Sequence, residues 1–191
     1  TIVQAQLPAY YDYLHLYNEA NELFEKDKFG AAQKKIEAFL VFEEDLRTHD
    51  AFDLRANARY IQAVSAYQLE REDAESLLSQ FLIEFSENSK TPLASYYLGL
   101  HHYNRRKYSK AIGPLVAAVK SSALNQEIFD EVVFKLGYSY FKDDNLPQAL
   151  HYFDMASDKK NIYQEDAQYY NAILLYQQGS YADAYSALNA L

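Results

Sequence analysis

Five times along this chain a small residue is followed eleven or twelve positions later by an alanine: Ala20/Ala32, Ala63/Ala74, Gly99/Ala111, Gly137/Ala149 and Ala172/Ala184. The second members recur at intervals of 42, 37, 38 and 35 residues. Each pair sits in the same frame: an aromatic-rich stretch at helical spacing, a short polar break, then a second helical stretch. Self-similarity at such a period marks stacked helix hairpins, none of which buries its apolar face alone. Antiparallel helices approach closely only where the crossing side chains are small, so each pair predicts a crossing point with one member on each helix. Glycine inside a helix costs about 1 kcal/mol against alanine. Gly99 and Gly137, recurring in phase, therefore need a packing reason.

The units follow from this frame. In the first, Tyr17, Ala20, Leu23 and Phe24 keep helical spacing, Glu25–Lys28 is polar, and Phe29, Ala32, Ile36 and Phe39 resume the pattern. The second runs from Phe52 to about Phe85, with its turn near Glu70–Asp73. Ser86–Thr91 before Pro92 is a helix stop and restart. The third has Tyr96 to Gly99, a turn at Asn104–Lys107, then Tyr108 and Ala111. The fourth has Leu136-Gly137, Tyr140-Phe141, then Leu146-Pro147 opening a helix through Ala149, Phe153 and Ala156. The fifth has Tyr169 to Gln177, Gly179 in the turn, then Tyr181, Ala184 and Leu188. Gly113-Pro114 predicts a kink in the second helix of the third unit, or a helix that starts only near Pro114. The units span about 9–45, 52–86, 92–122, 126–158 and 162–191.

Charge and chemistry narrow the function. A net charge of −9 argues against nucleic acid, whose binding is dominated by phosphate neutralisation. Arg105-Arg106-Lys107 and Lys110 form one basic cluster, at the place of a solvated turn. The acidic run Glu43-Glu44-Asp45 reads as a solvated connector. No apolar run approaches the roughly 20 residues of a membrane-spanning helix. With no cysteine, thiol catalysis, disulfides and cysteine-based zinc sites are excluded. No phosphate-cradling glycine loop, G-x-S-x-G or H-E-x-x-H is present. Of His15, His49, His101, His102 and His151, the adjacent pair points to different helix faces, poorly set to share a metal. His102 falls on the hairpin-packing face. No enzyme, cofactor or metal site is expected.

These units resemble the tetratricopeptide repeat family over nearly the whole chain. The fourth matches most fully, at Leu136-Gly137, Tyr140, Leu146, Ala149, Phe153 and Ala156. The second departs: Tyr67 to Ala74 is one residue short, and the aromatic before the alanine is missing. The long period is similar to that of tetratricopeptide proteins of the bacterial cell envelope. The resemblance implies an all-α, right-handed α-solenoid of five helix-turn-helix hairpins acting as a non-catalytic protein-interaction scaffold. It also implies that the first helix of each hairpin faces a concave groove. Two positions of that helix, seven residues apart, then give Tyr17, Tyr60, Tyr96, Phe134 and Tyr169, and Phe24, Tyr67, Tyr103, Phe141 and Tyr176. Tyr138 lies between the two sets. All ten of the paired positions are aromatic against a background of 16%.

Two readings of this stripe stay open, an aromatic-lined groove or helix-to-helix core. As a groove it suits a protein or peptide partner, extended or helical. A glycan stacked on tyrosine is the alternative, as is a repeat segment of a larger enzyme or secretion assembly. The lysine and asparagine clamp with which some family members grip a C-terminal carboxylate is absent at the equivalent positions.

The two ends carry expectations of their own. Val3 and Ala5 stand where a signal peptidase would read them before Gln6. Residues 1–8 are then a leader left from a signal peptide, making the chain exported or periplasmic. Otherwise they are an ordinary terminus of a cytoplasmic chain. At the other end Tyr181–Leu191 is a repeat-type helix with no capping helix after it. Its Ala184, Leu188 and Leu191 read as positions awaiting either further repeats or end-to-end association with a second copy.

Overall fold

The described residues of the computed structural model, 3–42, 51–158 and 160–189 with side chains from residue 14 onward, form ten helices and no strand. These are α1 (Val3–Glu25), α2 (Phe29–Leu40), α3 (Phe52–Gln68), α4 (Ala74–Glu84), α5 (Thr91–Asn104), α6 (Tyr108–Val119), α7 (Gln126–Lys142), α8 (Leu146–Ser157), α9 (Gln164–Gln177) and α10 (Tyr181–Leu188). They pair in sequence order as five hairpins, α1/α2, α3/α4, α5/α6, α7/α8 and α9/α10, and α1 takes in residues 3–8. His49, the Glu43-Glu44-Asp45 run and Leu191 lie outside the described residues. The helices fall into two compact units, Thr1–Tyr97 and Leu98–Leu191, with the boundary inside α5.

All five first helices end in the same way. The amide of Lys28 donates to the carbonyl of Leu23 at 2.8 Å, Arg71 to Ala66 at 3.0 Å, and Lys107 to His102, Asn145 to Tyr140 and Ser180 to Leu175 each at 2.9 Å. The residue before each donor is left-handed: Asp27 (φ 55°), Glu70 (54°), Arg106 (57°), Asp144 (60°) and Gly179 (82°). This is the closing turn that satisfies the last carbonyls of a helix. Only the fifth hairpin fills it with glycine. The left-handed conformation costs an L-residue roughly 1–2 kcal/mol, and the chain entropy of glycine takes back about 0.5–1 kcal/mol. Glu70→Gly, at an exposed side chain, is therefore expected to stabilise the chain by about 0.5–1 kcal/mol in urea unfolding. A lower urea midpoint would show that the Glu70 side chain does more than occupy the turn.

The second hairpin shows what its missing residue does. Elsewhere the second helix resumes directly after the donor residue. Here Glu72 and Asp73 form an extra turn, and the amide of Ala74 reaches only back to Arg71, at 3.3 Å. Arg71 holds this turn through Asp73, at 3.0 and 2.9 Å, and through Glu37 of α2 at 3.2 Å. Two helices, α7 and α8, start on a side-chain cap. Asn125 accepts from the amide of Ile128 at 2.8 Å, and Asn145 from that of Gln148 at 3.4 Å beside Pro147.

All ten residues of the repeating pairs are buried. What the glycines face, however, is not the paired alanine but the large residue four positions later, one turn further along the second helix. A β-carbon on Gly99 would stand 2.5 Å from Leu115 Cδ2, and one on Gly137 2.8 Å from Phe153 Cδ1. The crossing is small against large, not small against small. Leu115 and Phe153 are fully buried, with Phe39, Phe81 and Phe85. Each such side chain contributes about 1.5–3 kcal/mol relative to exposure.

The helix of the third unit does not restart at Pro114. It runs from Tyr108 to Val119 with Pro114 inside. The lost backbone bond falls on the carbonyl of Lys110, an exposed residue. Ala111, Leu115 and Ala118, all buried, hold the other face in place.

Candidate functional site: an aromatic face on the first helices

In the first unit most of the expected stripe is packed inside. Tyr60 is only 5% exposed, set edge-on to Phe24 of α1 (6.1 Å) and Phe81 of α4 (5.8 Å). Burial pushes its hydroxyl ionisation far up. Tyr96 is 8% exposed and lies 5.1 Å from Tyr97, which in turn meets Tyr67 at 5.3 Å. Tyr17 is half-buried on Phe39, at 5.4 Å, and its hydroxyl pairs with Asn57. Beside Tyr60 lies a cavity of about 70 Å³ lined by Asn21, Phe24, Glu25, Asn57, Ile61 and Lys90. The Lys90 ammonium rests 5.2 Å from the Tyr60 ring centre.

The second unit gathers the rest into one network. Phe134 is buried: Tyr163 stacks on it at 5.1 Å and Phe153 reaches it at 5.9 Å. Tyr138 and Phe141 are half-buried, 6.3 Å apart, and Tyr103 of α5 meets Tyr138 at 5.9 Å. The centre is Tyr170 of α9, which sits 5.3 Å from Tyr138, 5.6 Å from Phe141 and stacks on Phe153 at 5.2 Å. Tyr169 and Tyr176, on the same helix, are exposed, at 49% and 64%. Tyr163 and Tyr170, seven residues apart, repeat the stripe's own spacing one position off its register. That spacing was the signal available for them.

The later position of the stripe also has a structural task. In three hairpins its ring meets edge-on the aromatic that opens the second helix: Phe24 on Phe29 (5.6 Å, 75°), Tyr103 on Tyr108 (5.5 Å, 79°) and Tyr176 on Tyr181 (5.1 Å, 63°). Such pairs contribute about 0.5–1.5 kcal/mol beyond area burial, and here they clasp the turn. In the second hairpin the missing residue removes that partner, and Tyr67 turns to Tyr97 instead.

Charge on α7 is graded along the helix. Glu127, Asp130 and Glu131 lie near its start, where burial and then these carboxylates raise the Tyr163 ionisation. Toward its end the Lys135 ammonium sits 4.3 Å from the Tyr103 ring centre. That of Lys142 lies 5.1 Å from Tyr138 and 5.2 Å from Phe141. Burial comes first and the neighbouring tyrosines second in holding Tyr103 protonated far above its ordinary range. For Tyr170 burial again leads, followed by Tyr138, with which it shares a hydrogen bond. The adjacent histidines are both buried, rings perpendicular at 5.6 Å. Among the described residues no group of three His, Cys, Asp or Glu side chains is set to hold a metal, and no helix is long and apolar enough to cross a membrane.

This architecture has counterparts among solved structures. MamA of AMB-1 is 17% identical with a TM-score of 0.72, the match covering 93% of this chain and 88% of that one. MamA (41-end) from Desulfovibrio magneticus RS-1 is 15% identical with a TM-score of 0.68, covering 94% and 93%. YrrB, described as a TPR protein with an unusual peptide-binding site, is 19% identical with a TM-score of 0.70, covering 99% and 89%. At such identities the likeness is one of fold. No curated protein matches the sequence significantly. The tetratricopeptide repeat profile matches residues 67–125 and 134–191, more than half of the chain. With this profile over more than half of its length and ten helices paired as five hairpins among the described residues, the chain belongs to the tetratricopeptide repeat family.

Proposed function

We propose that the chain is a non-catalytic interaction scaffold that holds a peptide or a partner helix on the face formed by α7 and α9. Tyr138, Phe141, Tyr169 and Tyr176 make the contact, while Phe134 and Tyr170 support them from below. The observation that carries this reading is the division within one stripe. Tyr60, Tyr96 and Phe134 are sunk into the core, whereas Tyr138 and Phe141 are half-buried and Tyr169 and Tyr176 keep 49% and 64% of their surface in water. Tyrosine at such a boundary offers a large rigid apolar body and a wet hydroxyl, a combination suited to binding another chain. Some of the expected contact surface, at Tyr60, Tyr96 and Phe134, is thus reassigned to support. The peptide-binding site of YrrB, on a similar fold, adds to the plausibility of a peptide ligand.

The test is selection of peptides from a random display library on the immobilised full chain. Selected peptides are expected to carry apolar or aromatic anchors. They should lose most of their affinity for the triple variant Tyr138→Ser, Tyr169→Ser, Tyr176→Ser, with its far-ultraviolet circular dichroism unchanged. Peptides that bind the folded triple variant as well as the parent would place the binding surface elsewhere.

A further inference from the structure

We propose that the peptide held on this face is acidic, with two carboxylates three residues apart that draw Lys135 and Lys142 off the rings they cover. The proposal rests on the reading just given and names the chemistry of its ligand. Helices α1, α3, α5 and α9 contain no lysine, so Lys135 and Lys142 are the lysines of the first helices. Both lie over aromatic rings of the proposed contact face or its edge: Lys135 over Tyr103, Lys142 over Tyr138 and Phe141. Lys142 is exposed, and among the described residues no carboxylate lies within ion-pair distance of it. Lys135 has Glu131 at a long 3.5 Å, with side-chain exposures of 16% and 22%. In the unbound chain the Lys142 cover is therefore weakly held, since a ring attracts an exposed ammonium less than a hydrogen-bonded carboxylate does. Lys135, largely buried, is released by exchanging its long pair with Glu131 for a closer carboxylate.

A carboxylate arriving at each lysine replaces a ring contact with a charge-assisted hydrogen bond. It also uncovers Tyr138 and Phe141 for an apolar side chain between the two acids. The spacing follows from geometry. Seven helical residues put the two lysines about 10 Å apart along α7, which an extended peptide spans in about three residues. The register is set by charge as well. Glu127, Asp130 and Glu131 at the start of α7, with Asp166 of α9, repel acids from that end, so the carboxylates lie over its second half. The net charge of −9 opposes approach of any acidic ligand. Salt therefore acts on long-range repulsion and local attraction at once, and charge exchange is the cleaner probe.

The experiment measures fluorescence anisotropy of labelled peptides with the full chain. The peptides have a Glu-Phe-Ala-Glu core in serine-rich flanks, and counterparts in which both glutamates become glutamine or lysine. The glutamate peptide is expected to bind roughly tenfold tighter than the glutamine one, a difference of about 1.4 kcal/mol, and the lysine peptide weakest. In Lys142→Glu the order of glutamate and lysine peptides should invert, while Lys142→Gln should bring the glutamate peptide close to the glutamine one. Equal binding of glutamate and glutamine peptides overturns the proposal and leaves the tyrosine face intact as a neutral groove. Preference of the parent chain for the lysine peptide overturns it too. So does binding of none of the three while library selection still yields ligands for the tyrosine face. Failure of that selection as well removes the reading beneath it.

Discussion

Gly137→Leu is expected to destabilise the chain by roughly 1–3 kcal/mol, the usual cost of overfilling a packed core. The upper end of that range applies, because the space a side chain would take already holds the Phe153 ring. Even a single β-carbon at Gly137 meets ring atoms at 2.8, 2.9 and 3.1 Å, and Phe153 has no exposed surface through which to move away. Phe153 is itself packed between Phe134 and Tyr170, so its displacement spreads into α7 and α9. Gly99→Ala carries a related penalty, since its β-carbon would meet the Leu115 side chain at 2.5 Å and the Leu115 backbone nitrogen at 3.3 Å. The control is Gly113→Ala. Nothing lies within 4 Å of that β-carbon, so stability should not fall, and the helix propensity gained inside α6 can raise it by up to about 1 kcal/mol. Thermal melts decide it. An unchanged melt for Gly137→Leu would mean that α7 and α8 do not cross at this residue.

How far the sequence carried depended on whether a signal repeated. The small residue and the alanine recur in every unit, and so place all five hairpins, including the one-residue shortening at Tyr67–Ala74. The partner of the glycine was harder to see. Leu115 and Phe153 differ in type, and their counterparts Ile36, Leu78 and Leu188 are ordinary apolar residues at ordinary helical spacing. The left-handed turn residue was hidden for a similar reason. Asp27, Glu70, Arg106 and Asp144 look like any polar break, and only Gly179 announces the conformation. Pro114 failed as a boundary because a single lost backbone bond on an exposed face is outweighed by three buried side chains on the other.

The aromatic stripe was the least legible, because spacing by sevens describes a helix face without saying what faces it. Phe134 and Tyr169 hold the same place in successive hairpins. One is buried by the next helix and the other is not. Nor does spacing distinguish Tyr170 from Tyr169, adjacent tyrosines on one helix, of which the first packs half-buried against the core and the second meets water. The lysines over Tyr103 and Tyr138 come from the other side of the same difficulty. A cation on a helix is read as a solvated face until a ring is found beneath it.

Phe134→Ala is expected to cost about 3–5 kcal/mol, as removal of an enclosed ring does, while Tyr169→Ala should cost little. The contrast is informative because the two residues are equivalent by repeat position and differ in what the rest of the chain lays over them. Phe134 lies under Tyr163, stacked at 5.1 Å, with Phe153 at 5.9 Å and Tyr170 at 6.4 Å; its removal leaves a void that three rings have no common way to fill. Tyr169 has Tyr170 at 5.6 Å edge-on and is otherwise half in water. Losing it forfeits roughly 0.5–1.5 kcal/mol of ring contact at most. Urea unfolding of the two variants side by side measures the difference directly. A large difference means that burial, not repeat position, decides which rings hold the fold and which remain for a partner. Equal losses would put Tyr169 in the core with Phe134 and take the contact face away from α9.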